Sequence, residues 1–287
     1  MVLPGFEGLS LYIVSKFFIK SVRNGMVNIR ASSLAFSFFL ALFPTTIFLF
    51  TLIPYIPIHS FQNYVFTQLQ SIMPKAAFEA TKDTILDIIH KPRKGLLSVG
   101  FISALYFSTN GFNAMINAFN ETYHEIETRR KLHQRLISFY MLVITALLLA
   151  VSTTLLIGTE YLFSYLFDSH KVLYYLISIL KWIILAAMFY SIISFNYFLG
   201  PKRKKGWSFF SAGSMFATVL IIVATIGFTY YVNNFGKYNK LYGSIGTLIV
   251  IMMLLYINSL ILLLGFDLNA SIQSAKKQRE LYQRLKS

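Results

Sequence analysis

The chain has 287 residues, 56% of them hydrophobic, with 26 lysines and arginines against 11 acids, a formal net charge of +15 and no cysteine. Zero cysteine excludes disulfides, thiolate metal sites and cysteine nucleophiles, and so much apolar sequence excludes a soluble domain, whose helices need a polar face for water. No soluble recognition module accompanies the basic charge, so it points away from nucleic acid and toward the anionic head groups of membrane lipids.

The first apolar segment, Leu9–Ile19, is interrupted by Lys16 and lacks a small-residue cleavage site, so it reads as helix rather than leader. Over residues 9–30, Leu9, Ile13, Phe17 and Val22 stand among Lys16, Lys20 and Arg23, the pattern of a helix lying in the cytoplasmic interface. Six long apolar stretches follow, at 31–56, 95–119, 136–167, 172–200, 208–235 and 244–272. Each exceeds the ~20 residues that cross a ~30 Å hydrocarbon core as a helix. The first opens on Ala31-Ser32-Ser33-Leu34-Ala35, small residues suited to close helix contact, and Pro44 near its middle is expected to kink it. In 58–94, Val65, Leu69 and Ile72, then Ile85, Ile88 and Ile89, recur at helical spacing, which predicts two amphipathic helices broken near Pro74 on the outer face. The remaining connections, 120–135, 168–171, 201–207 and 236–243, are short.

The expected fold is all-α: a polytopic membrane helical bundle of six transmembrane helices with an N-terminal interfacial helix and an outer amphipathic segment. It forms one integral membrane domain over 1–287, with the interfacial helix at 1–30, the bundle at 31–272 and a basic cytoplasmic tail at 273–287. With the N-terminus inside, about two thirds of the 26 cations fall in the cytoplasmic segments 16–30, 129–135, 202–205 and 276–286. That asymmetry places both termini in the cytoplasm.

Function must then lie in the polar groups that lipid would exclude. Asn110, Asn113, Asn117 and Asn120 recur at steps of three, four and three, so they share one helix face. Two readings stay open: the lining of a polar cavity, or hydrogen-bonding glue between helices, worth ~0.6 kcal/mol per bond. Glu160 and Lys181 lie at depths differing by only ~5 Å on either side of a turn near Ser169 and are expected to pair, the alternative being an interfacial Glu160 and a Lys181 that snorkels alone. Tyr231, Tyr238, Asn239 and Tyr242 suit an aromatic belt and turn, but with the asparagine stripe, Asp267 and Asn269 they are also the candidates for a substrate's polar path, and Asp267, at the inner end of an apolar run, needs more explanation. Asp267 requires a cation or water, and Arg30, Arg129 and Arg130 are the candidates. Arg30, Arg129, Arg130, Lys202 and Arg203 also form the basic cytoplasmic set expected to meet lipid head groups. The five histidines show no metal-ligand spacing, the carboxylates are scattered, and no cofactor motif is present.

Several of these residues carry a family likeness. Ala31-x3-Ala35-x8-Pro44, Asn110-Gly111-Phe112-Asn113-Ala114 and Ala118-Phe119-Asn120 resemble blocks of the YihY/BrkB membrane-protein family. So do Phe228-x2-Tyr231-Val232, Tyr238-Asn239-x2-Tyr242-Gly243-Ser244 and Leu264-Gly265-Phe266-Asp267-Leu268-Asn269. The likeness runs from about 25 to 272, with mild departures at Asp267, where Glu is more usual, and at Phe119, where Leu is. It implies a bacterial inner-membrane protein of six spans, in a family associated with virulence and serum resistance. Some members are suspected of moving lipids or lipid-linked envelope precursors. The family's ribonuclease BN label finds no clustered carboxylates or histidines here with which a metal nuclease would hold its ions. The expected function is a transporter or flippase for a lipid or lipid-linked anion, with a non-transporting envelope-assembly scaffold as the alternative and a ribonuclease below both. The sequence leaves the oligomeric state unspecified.

Overall fold

Helix breaks fall where the backbone demands them. In the computed structural model, α1 (Leu11–Asn24) stops at Gly25, whose N–H bonds the Ser21 carbonyl at 2.7 Å. Met26 then turns the chain with a φ of 47°, and α2 (Val27–Leu52) continues through Pro44 into a short 3₁₀ turn at Ile53–Tyr55. The helices α3 (His59–Ile72) and α4 (Lys75–His90) follow. Pro92 separates α4 from α5 (Lys94–Asn120), since proline disfavours helix in the residue before it. Then come α6 (Lys131–Leu166), α7 (Lys171–Leu199), ended by Gly200-Pro201, α8 (Ala212–Asn234) and α9 (Gly236–Arg284). The structure describes residues 9–56, 59–72, 75–122, 129–166, 171–202, 209–234 and 236–285, and in parts of these, including 156–166, 171–178, 232–234 and 236–245, the backbone alone.

Among the described residues the protein is all-helical, and five helices are long and apolar enough to cross a membrane: Val27–Tyr55, Lys131–Leu155, Ile179–Leu199, Ala212–Tyr231 and Leu248–Arg284. The 27-residue α5 is long enough but less apolar, because Ser108, Thr109, Asn110, Asn113 and Asn117 dilute it. The sequence places a connection at 236–243, yet α9 is helical from Gly236 onward. Asn and Gly favour turns, but a helix once nucleated propagates cooperatively, and this one adjoins a long apolar run. Its 49 residues span ~74 Å at 1.5 Å each, well over twice the hydrocarbon thickness.

The chain divides into two compact units, 1–36 with 112–287, and 37–111. In the first, α8 packs along α9, and α1 lies against the C-terminal part of α9. Leu9 and Val14 there bury against Ile272 and Ala275, with Phe17, Ala212 and Leu268 around them. In the second, Gly100 lets α5 lie on the backbone of Phe48, where a Cβ would stand 3.3 Å from Phe48 Cα. Thr45 and Ser108 hydroxyls approach to 3.4 Å. The end of α4 is fixed by Asp87, which takes Lys91 at 2.7 Å and also Arg93. The hydrogen bond from Lys91, with the charges of Arg93 and Lys91, holds the Asp87 carboxyl below its ordinary range against partial desolvation.

Candidate functional site

Asp267 is fully buried in α9, and the cation that meets it is Arg30, itself only 4% exposed. Arg30 Nη2 lies 2.8 Å from Asp267 Oδ2, and Nη1 lies 3.5 Å from Oδ1. The guanidinium also donates to the carbonyls of Gly25 and Ala118, each at 2.8 Å. On the other side the Thr122 hydroxyl donates to Asp267 Oδ1 at 2.7 Å, with Ser21 Oγ 3.5 Å behind it. One network therefore joins the α1–α2 elbow, the end of α5 and the C-terminal half of α9. Gly25 is needed there for space, because a Cβ would sit 2.5 Å from the Ser21 carbonyl oxygen and 3.1 Å from Arg30 Nη2.

The residues flanking Asp267 make the second half of the site. At Gly265, α8 crosses α9 so closely that a Cβ on Gly213 would fall 2.0 Å from the Gly265 carbonyl oxygen. One turn on, Asn269 Oδ1 accepts the Gly213 N–H at 2.8 Å, and its Nδ2 donates to Ser211 Oγ at 2.9 Å. Asn269 thus satisfies a backbone donor that the first turn of α8 would leave orphaned. Phe266 stacks on Phe119 with ring centroids 4.2 Å apart, and Tyr197 of α7 packs edge-on to both. The Tyr197 hydroxyl donates to the Leu262 carbonyl at 2.6 Å.

The asparagine stripe has mixed roles. Gln134 of α6 donates both amide hydrogens, to Asn113 Oδ1 at 2.8 Å and Asn117 Oδ1 at 2.7 Å. Asn110 is half-buried, in the other compact unit. Asn120 Oδ1 is buried without a partner, and so are Ser194 Oγ, Asn196 Oδ1 and Asn258 Oδ1 on α7 and α9.

The profile of the virulence factor BrkB family matches residues 18–286. The chain belongs to that family. A Bacillus subtilis relative named as the ribonuclease-like protein YfkH is 29% identical over 251 residues, covering 86% of this chain and 90% of its own. A UPF0761 membrane protein of Haemophilus influenzae is 22% identical over 275 residues, covering 95% and 99%. Another, from Coxiella burnetii, is 28% identical over 241 residues, covering 82% and 84%. No solved structure matches. Family and apolar helices together make this a membrane protein.

Within this BrkB-family chain the other cations divide by environment. Arg30, grouped by sequence with the surface cations, is inside the protein. Arg129 donates to the carbonyls of Gly200 and, at 2.7 Å, of Pro201, at the C-terminal end of α7. Arg130 and Lys202 are exposed, and Arg203 lies outside the described residues. Lys181 is half-buried, but the Glu160 side chain also lies outside them, as do those of Tyr238, Asn239 and Tyr242, while Tyr231 is exposed. Among the described residues no three histidines or carboxylates gather as metal ligands would. Sequence reasoning missed Thr122, Gln134, Ser194, Asn196, Tyr197, Gly213 and Asn258. A lone amide in a lipid-length helix, as in Ile257-Asn258-Ser259, was the available signal.

Proposed function

We propose that this BrkB-family protein is a transporter or flippase of the bacterial inner membrane, moving a lipid or lipid-linked anionic envelope precursor. The carrying observation is the set of unpartnered buried atoms on α5, α7 and α9: Asn120 Oδ1, Ser194 Oγ, Asn196 Oδ1 and Asn258 Oδ1. In hydrocarbon each unmet polar group costs several kcal/mol, and residues kept only for packing find one another, as Gln134 finds its two asparagines. Groups left unmet in the interior suit a route whose partner comes and goes. Exposed Arg130 and Lys202 suit attraction of an anionic head group at the membrane surface.

Six crossings with both termini cytoplasmic complete this reading. Because α1 packs on residues 268–275 of α9, the segments before the first span and after the last share one side, which favours an even number of crossings, with α5 as the sixth. The second reading, a scaffold for envelope assembly, draws support from Arg30–Asp267 and the Gln134 clamp, polar groups that hold helices together.

The two separate in vesicles. The purified chain is reconstituted with head-group-labelled phosphatidylglycerol, and an impermeant reductant bleaches the outer leaflet, with and without an imposed proton gradient. Transport predicts bleaching that continues into the inner-leaflet pool. Traces identical to protein-free vesicles under every condition refute it and leave the scaffold.

A further inference from the structure

The chemistry of the unmet groups narrows the cargo, on the footing of the transport reading above. Arg30 and Asp267 neutralise each other and spend their hydrogen bonds on Gly25, Ala118 and Thr122, so neither offers its charge to a ligand. Among the described residues of this compact unit, what remains unpaired is neutral: three amide oxygens and one hydroxyl, with the Tyr55 hydroxyl a further unmet atom in the other unit. The Asn196 amide is oriented, because its Nδ2 already donates to the Ile192 carbonyl at 2.8 Å and leaves Oδ1 as the unmet end.

These groups also share a level. Phe119 meets Tyr197, and Tyr197 reaches Leu262. Asn120 follows Phe119, Asn196 precedes Tyr197, Ser194 lies one turn before Tyr197, and Asn258 one turn before Leu262. At 1.5 Å per residue, none is displaced along its helix by more than ~6 Å from that contact. Ser194 and Asn196 are both more than nine-tenths buried.

An ionised phosphate presents only acceptors and would meet amide oxygens unfavourably, whereas a hydroxyl donates to them and accepts in turn. We infer that this level of α5, α7 and α9 binds the hydroxyl-bearing part of a lipid head group, a glycerol or sugar, while any phosphate stays with the basic residues at the surface. The division resembles other ligand sites in which a few placed polar groups set specificity within an apolar surround.

The test uses the full chain in detergent, with Ser194→Ala and Asn258→Leu singly and together. Ser194→Ala removes one oxygen and no hydrogen bond, so it is the safer variant for folding. An unmet buried group destabilises the empty protein, so each substitution should raise the melting temperature by on the order of a few degrees. Diglucosyl diacylglycerol and phosphatidylglycerol should stabilise the unsubstituted chain more than phosphatidic acid does, and the double variant should lose that preference. Lower melting temperatures in both single variants, equal stabilisation by phosphatidic acid, or an undiminished preference in the double variant would each overturn the inference. If phosphatidic acid stabilises equally while vesicle transport persists, the polyol site falls and transport stands. The expected lipid preference without any transport has the opposite meaning.

Discussion

Removing one member of the Arg30–Asp267 pair should be far more damaging than removing both. Both side chains are at most 4% exposed, so solvent screening gives little relief. Taking one partner from a buried pair costs ~3–5 kcal/mol, whereas apolar replacement of both is often nearly neutral. For Asp267→Ala the guanidinium loses its contacts at 2.8 and 3.5 Å but keeps the carbonyls of Gly25 and Ala118. That places the cost near the lower end, ~3 kcal/mol. At roughly 2–4 °C per kcal/mol for chains approaching this size, the melting temperature should fall by about 6–12 °C. The double variant Arg30→Met, Asp267→Leu keeps much of the volume, removes both charges and should melt within about 4 °C of the unsubstituted protein. Melting followed by tryptophan fluorescence in detergent gives all four corners of the cycle. A double variant as unstable as the worse single one would mean that the charges do not act on each other, and the network would have to be reread.

Three further outcomes follow from local geometry. Gly213→Ala should cost about 3 kcal/mol, because its Cβ would meet the Gly265 backbone at 2.0 Å. Gly227→Ala, with nothing within 4 Å, should gain about 0.5–1 kcal/mol by helix propensity, so equal melting shifts would refute the close crossing. At Met26, with φ of 47°, Gly should be tolerated or gain up to about 1 kcal/mol, whereas the β-branched Met26→Val should lose about that much in the same melting assay. Asp87 is held below the ordinary carboxylate range, so its contribution is present above that range and is lost as pH falls through its lowered value. Hydrogen exchange over 83–93 should therefore show an acid-dependent opening that Asp87→Asn abolishes, and an unchanged acid limb in that variant would assign it to another group.

Much of the helical layout was legible because long apolar runs need no tertiary context to be read. The failure at 236–243 has a physical cause: local turn preference competed there with helix propagation from a neighbouring run, and propagation prevailed. Asp267 was legible as an acid needing a cation, and Arg30 was among three candidates. Choosing between them required knowing that Gly25 and the turn at Met26 bring Arg30 to Asp267 of α9, a contact across 237 residues. Gly213 and Gly265 read only as small residues, since the distance between two helix backbones is not written in either helix. The asparagine stripe was visible, but the division between Asn113 and Asn117, matched by Gln134, and Asn120, left unmatched, depends on a residue from the next helix.

The span between Arg30 and Asp267 also constrains how the protein is made. Arg30 lies in the first turn of the α2 helix and Asp267 in α9, so the two partners leave the ribosome 237 residues apart. At ~5–20 residues per second, 237 residues take roughly 12–47 s. Throughout that interval the arginine lacks the carboxylate that meets it in the folded protein, and its long side chain can keep its head at the wet boundary. The Arg30 end of α2 therefore gains its carboxylate only after α9 is synthesised. A chain truncated before α9 would leave Arg30 without its carboxylate.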